Sequence, residues 1–222
     1  MSEPQPPVEA ARPFINVSPR YRLNRFRMFR GMLEELARTR SVVRVLDMGG
    51  WPDYWQDMRP LWQDLPLHLT IVNIDITDRD DPPYHSRYGS ALDMAGYADN
   101  SFDIVHSNSV IEHVGQWVEM QAMAREVRRL APRYFVQTPN LWFPYEPHYR
   151  SLFLHWFPEP VRAAMVLRKR RGFIEASSYD QAMREVQDIH LLSARQMAEL
   201  FPDARIEREK VGPFTKSLIA IR

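Results

Sequence analysis

Three apolar runs in this 222-residue chain end in residues that could do chemistry. Val43 to Leu46 leads into Asp47, Met48, Gly49 and Gly50; Leu69–Ile74 leads into Asp75; Phe102–His106 leads into Ser107, Asn108 and Ser109. Such runs pack as buried parallel strands, and paired glycines let the chain turn sharply against a ligand. Parallel strands ending in Asp47, Asp75 and Asn108 open on one edge of a sheet, where α/β proteins bind ligands. A second group lies further on: Glu112 and His113 after the third run, then Asn140, Glu146, His148 and His155 in a proline-rich stretch. His113 and His148 are the candidate bases. A proline-stiffened loop holds a base at low entropic cost, which puts His148 first. Its bland alternative is a loop histidine bonded to Glu146.

These groups need elements to position them. Phe26, Phe29, Leu33 and Leu36 recur at helical spacing, so Arg20–Arg38 reads as a helix packed on a sheet. Its other face carries Arg20, Arg22, Arg27 and Arg30, either a solvated face or a lid over a cofactor or an acidic substrate. Strands are expected at Val42–Leu46, Leu69–Ile74, Arg87–Tyr88, Asp103–His106 and Tyr134–Gln137. A short helix is expected from Tyr54 to Trp62 and an amphipathic one from Trp117 to Leu130. The alternation predicts an α/β fold, a parallel sheet with helices on both faces. Residues 138–190 break the rhythm with Pro139, Pro144, Pro147, Pro158 and Pro160 among many aromatics. That length exceeds an ordinary connection and reads as an insertion over the carboxyl edge of the sheet. Its aromatics form either a small core of their own or a pocket wall or docking face. Arg168, Lys169, Arg170 and Arg171 are a solvated run or a contact for a phosphate, a carboxylate or an anionic membrane surface. Ser193 caps a helix to Leu200, and Arg205–Val211 with Ser217–Ile221 closes the sheet as an antiparallel pair.

In this order and spacing the segments from Val42 to Thr138 resemble the class I S-adenosylmethionine-dependent methyltransferases. Val45 to Gly50 resembles the family's first motif, Asn73 to Asp75 the acidic end of its second strand, and Tyr88 to Ala91 its adenine-side turn. Asp99 to Val105 resembles the approach to strand four, and Val110 to Val114 the segment after it. The resemblance implies a Rossmann-like, doubly wound, mostly parallel seven-stranded sheet, with 1–222 as one domain. It implies S-adenosylmethionine as cofactor. Asp75 and Ile76 then lie at the ribose, Gly49 and Gly50 at the amino-acid end, Ser90 and Ala91 at adenine, and Asn108 and Ser109 under the methyl group. Asp47 either holds the ammonium or braces the glycine turn. In the family the histidine matching His113 accompanies many substrates, which points to a cofactor-side or structural job, and Glu112 anchors the helix entry. The sequence departs from the pattern in three places: Trp51 and Asp53 replace loop glycines, and Ser90 replaces a common Asp.

Composition narrows the alternatives. There are 29 basic and 28 acidic residues, a formal charge of +1, so bulk attraction to nucleic acid is not indicated. Cysteine is absent, which excludes thiolate sites, and no metal is expected. No apolar run approaches the ~20 residues that span a bilayer. Residues 1–13 read as a mobile arm without signal-peptide character, and a cytoplasmic location is expected. The expected function is methyl transfer to oxygen or nitrogen of a small or medium-sized acceptor, or a lipid- or sugar-linked one, with peripheral membrane contact open and oligomeric state unassigned. A catalytically silent binding module of the same fold is the alternative from another class. A nicotinamide-dependent dehydrogenase fits less well, because Asp53 puts an anion near the turn that would cradle a pyrophosphate.

Overall fold

A computed structural model describes residues 19–222, so the expected arm at 1–13 lies outside the described residues. In chain order the elements are α1 (Pro19–Ala37), β1 (Val43–Met48), α2 (Pro52–Asp57), β2 (Leu67–Asn73), β3 (Arg79–Asp81), β4 (Tyr84–Tyr88) and β5 (Ile104–Asn108). There follow α3 (Trp117–Leu130), β6 (Tyr134–Pro139), β7 (Tyr145–Glu146), β8 (Ser151–Leu152), α4 (Glu159–Arg168) and α5 (Tyr179–Gln187). The chain ends in α6 (Ala194–Leu200), β9 (Arg205–Val211) and β10 (Phe214–Ile221). The main sheet runs β3-β4-β2-β1-β5-β6-β10-β9. β4, β2, β1, β5 and β6 are parallel, and β10 is antiparallel to β6 and β9. This is the expected doubly wound order with its closing pair.

Two local differences have physical causes. The sheet has eight strands rather than seven, because β3 folds back antiparallel on β4 across Pro82 and Pro83. Asp80 on β3 ties that hairpin down, at 2.7 Å from both His85 and Arg87. The helix expected from Tyr54 to Trp62 stops at Asp57 and resumes as a single 3₁₀ turn over Arg59–Leu61. Pro60 has no N–H to donate back into an α-helix, so the regular helix cannot continue through it.

Each sheet face has its own core. On one, Phe26, Phe29, Leu33 and Leu36 of α1 pack with Trp55, Trp62 and the inward residues of β1 and β2. On the other, Met120, Met123, Ala124, Val127 and Leu130 of α3 pack with Met197, Leu200 and Phe201. Fully burying one such large side chain contributes roughly 1.5–3 kcal/mol. The insertion between β6 and α6 has a third core: Tyr149, Leu154, Ala163, Val166, Ile174, Ala182, Val186 and Ile189. That core is mostly aliphatic. Trp142, Phe153, Trp156 and Phe157 are exposed, so the first account of the insertion's aromatics, a core of their own, fails for these four. No helix among the described residues is long and apolar enough to cross a membrane.

Candidate active site

The turn after β1 is held from below. Asp47 is 1% exposed, and its carboxylate accepts hydrogen bonds from Trp55 Nε1 at 2.6 Å and His106 Nδ1 at 2.7 Å. A buried carboxylate needs such donors to offset its lost hydration. A Cβ on Gly50 would lie 1.6 Å from Asp47 Oδ2, so only glycine fits above the carboxylate. Gly49 has φ +78°, and a Cβ there would meet Val110 Cγ1 at 2.4 Å. Asn73, at the end of β2, donates from Nδ2 to the carbonyls of Gly49 at 3.1 Å and Gly50 at 3.0 Å. Asp47 is thus engaged with Trp55 and His106 in the interior. Trp55 closes the turn through Asp47.

The neighbouring strand ends are open. Asp75 lies just past β2; its N–H donates to Asn73 Oδ1 at 3.0 Å, and its exposed carboxylate has no partner among the described residues. Ile76, beside it, packs against the α1-side core. Past β4, Ser90 Oγ accepts from the Leu92 N–H at 3.2 Å, and Ala91 packs on the α3-side core. At the end of β5, Asn108 Oδ1 is buried and unpartnered, while Ser109, at φ 58°, donates through Oγ to Gln137 Oε1 at 3.0 Å.

A second cluster joins residues far apart in sequence. Glu112 is fully buried; Thr138 Oγ1 donates to its Oε2 at 3.0 Å, and its Oε1 has no partner. The His148 ring is bonded through Nδ1 to Glu146, which also accepts the Tyr149 N–H at 2.7 Å. His148 Nε2 is buried and unpartnered. The His113 ring lies 5.0 Å from that of His148 and nearly perpendicular to it, with Nδ1 3.1 Å from the Asp188 carbonyl oxygen. Burial pushes the His113 pKa down, but the Asp188 hydrogen bond and the Glu112 charge outweigh it, and the net shift is upward. Asn140 and His155 do not join the cluster. Asn140 Nδ2 donates to the Thr215 carbonyl at 2.8 Å, and His155 Nε2 pairs with the Leu141 carbonyl at 2.9 Å.

A family model described as a methyltransferase domain matches residues 66–133, from the approach to β2 to just past α3. That stretch is similar to a methyltransferase domain, and the sheet order is that of the class I methyltransferase fold. No curated relative matches the sequence. Solved structures share the fold at low identity. The CurJ carbon methyltransferase gives a TM-score of 0.54 at 9% identity, over 88% of this chain and 52% of that one. The carbon-methyltransferase domain of the citrinin polyketide synthase gives 0.53 at 12%, over 87% and 50%. A candidate O-methyltransferase from Nostoc punctiforme PCC 73102 gives 0.51 at 13%, over 94% and 59%. The chain therefore spans between 50% and 59% of the length of these structures.

A cavity of about 220 Å³ is lined by Ser109, Tyr21, Phe143, Tyr145 and Pro147. Arg25 and Lys216 also line it, and both pair with Glu209, at 3.0 and 3.2 Å. Arg25 is 2% exposed and its Nε has no partner. Burial lowers the Lys216 pKa, helped by the Arg25 charge and opposed by Glu209. Neither residue was expected here. Of the arginines read as a solvated face or a lid, Arg22 pairs with Asp57 at 3.4 Å, and Arg30 with Glu34 and Asp64, both at 2.7 Å. A signal for Arg25 existed, since it shares helical spacing with Phe29, Leu33 and Leu36. Asn73 and His106 were missed because a strand's spacing does not reveal which polar residue turns inward to brace a loop.

Proposed function

We propose that this chain binds S-adenosylmethionine and transfers its methyl group to oxygen or nitrogen of a small or medium-sized acceptor. One observation carries the reading: a braced Gly49–Gly50 turn, a partnerless Asp75 carboxylate and an orphaned Asn108 Oδ1 lie at the ends of the sheet's central parallel strands. When bound, the cofactor supplies a methyl sulfonium already activated for displacement. Asp75 would accept the ribose hydroxyls, with Ile76 beside it. The backbone at Gly49 and Gly50 would approach the amino-acid end, Ser90 and Ala91 would flank adenine, and Asn108 with Ser109 would lie at the reacting end. Asp47 would act by holding the turn. The Asp75 carboxylate and Asn108 Oδ1 are without partners among the described residues and support the fit, whereas Ser90 Oγ and Ser109 Oγ already hold hydrogen bonds to Leu92 and Gln137.

The acceptor belongs in the cavity walled by Tyr21, Phe143 and Tyr145, an apolar space with one cationic corner. Arg25 and Lys216 favour an acceptor carrying an anionic or strongly hydrogen-bond-accepting group. The acceptor's proton leaves toward the Glu112, His113 and His148 cluster, where His148 Nε2 is free and Glu146 orients the ring. Exposed Trp142, Phe153, Trp156 and Phe157 keep a lipid- or sugar-linked acceptor within the same reading, with its carrier resting on the insertion. The test is incubation with methyl-labelled S-adenosylmethionine and a panel of phenols, carboxylic acids and amines. Label should move to an acceptor, and His148→Ala should slow transfer by ~100- to 10,000-fold, the range for a lost general base. Cofactor binding without transfer to any acceptor would favour the silent binding module.

A further inference from the structure

The side chains of Glu112, His113 and His148 each offer a donor atom within 4.8 Å of the other two. Glu112 Oε1 and His148 Nε2 are both buried and both lack a hydrogen bond. Leaving two such groups buried and unpaired is costly, and a shared ligand between them would remove that penalty. The surroundings of the two rings narrow what the ligand is. His148 Nδ1 is bonded to the Glu146 carboxylate, and His113 Nδ1 to the Asp188 carbonyl with the Asp188 carboxylate 3.5 Å away. Histidines that bind metals characteristically donate their other N–H to a carboxylate or backbone carbonyl, which fixes the lone pair on the facing nitrogen. Both rings here are held in that way.

We propose that Glu112, His113 and His148 bind one divalent first-row transition ion. Two imidazoles and a carboxylate are a donor set for Zn²⁺, Fe²⁺ or Mn²⁺, whereas Mg²⁺ and Ca²⁺ favour oxygen ligands alone. Bonds of roughly 2.0–2.2 Å put two donors on one tetrahedral ion about 3.3–3.6 Å apart, so no pair needs to close by more than about 1.5 Å on loading. Three protein donors leave a position open, as sites that act on substrates do. A hydroxyl bound there would lose its proton nearer neutral pH. The ion would change what His148 does, from taking an acceptor's proton to holding the cation that weakens it. The inference goes beyond the methyl-transfer reading and does not depend on it.

The test uses the full chain, stripped with a chelator and titrated with Zn²⁺ by calorimetry and with Co²⁺ by visible absorption. One equivalent is expected to bind, with Co²⁺ bands of a low-symmetry nitrogen and oxygen site. His148→Ala and Glu112→Gln should each weaken Zn²⁺ binding by at least about 100-fold. Glu146→Gln should weaken it by roughly 10- to 100-fold, the usual effect of losing a group behind a ligand. Glu112→Gln keeps an acceptor for Thr138 and so controls for misfolding. His68 and His85 stack at 4.4 Å near the sheet edge, and His85→Ala tests that competing place. Two results overturn the proposal: no stoichiometric binding by the wild-type chain, or binding that survives His148→Ala and is lost in His85→Ala. S-adenosylhomocysteine binding, measured on the same samples, reports on the methyl-transfer reading alone. A chain that takes Zn²⁺ but not S-adenosylhomocysteine would overturn that reading and leave this one standing.

Discussion

The edge of β1, β2 and β5 and the insertion between β6 and α6 are built on opposite plans. At the edge, side chains point inward to hold backbone in place. Asp47 receives Trp55 and His106, Asn73 clamps two glycine carbonyls, and the Asp75 carboxylate and Asn108 Oδ1 are left without partners among the described residues. In the insertion, a small aliphatic core holds the segment together and large aromatics stay outside. The edge is braced by side chains of neighbouring strands, such as Asp47 with His106, and the insertion meets the site through His148 beside His113.

The contrast can be broken at several points. Asp47→Ala is expected to have the largest effect. It leaves Trp55 Nε1 and His106 Nδ1 buried without a partner, at about 1–3 kcal/mol each, so chemical denaturation should show a loss of about 2–6 kcal/mol. A variant of wild-type stability would show that the turn does not need its brace. Leu154→Ala opens the insertion core and should cost about 2–5 kcal/mol within that segment. Limited proteolysis should then cut the insertion faster, while S-adenosylhomocysteine affinity stays within about twofold. Equal loss of both would mean that the two regions form one cooperative unit. Asp75→Ala should weaken S-adenosylhomocysteine binding by about 1.5–3 kcal/mol with stability unchanged, the range for hydrogen bonds to a charged group. Trp142→Gln should be the mildest. Trp142 is 64% exposed, and surface substitutions usually stay within ±0.5 kcal/mol. A larger thermal shift would reveal a packing role that its exposure hides.

The same division decides what was legible in the sequence. Gly49, Gly50 and Asp75 could be read because a tight turn and an open strand end each demand a residue type at a fixed place. The alternation of strands and helices gave the sheet, but β3 is three residues long and has no apolar pattern to announce it. Arg25 and Lys216 could not be paired in advance, since Glu209 joins them only after the sheet closes. Glu112 and His113 could be picked out by type, and His148 by its stiff loop. That they meet depends on Thr138, Glu146 and Asp188, which tertiary packing alone brings together.

Calorimetric titration of the wild-type chain with S-adenosylhomocysteine, beside a parallel titration with NAD, tests the central claim most directly. A single site of micromolar affinity, about −8 kcal/mol, is expected for S-adenosylhomocysteine, and no binding is expected for NAD. No heat with S-adenosylhomocysteine at millimolar concentration, or saturable binding of NAD in its place, would contradict the account.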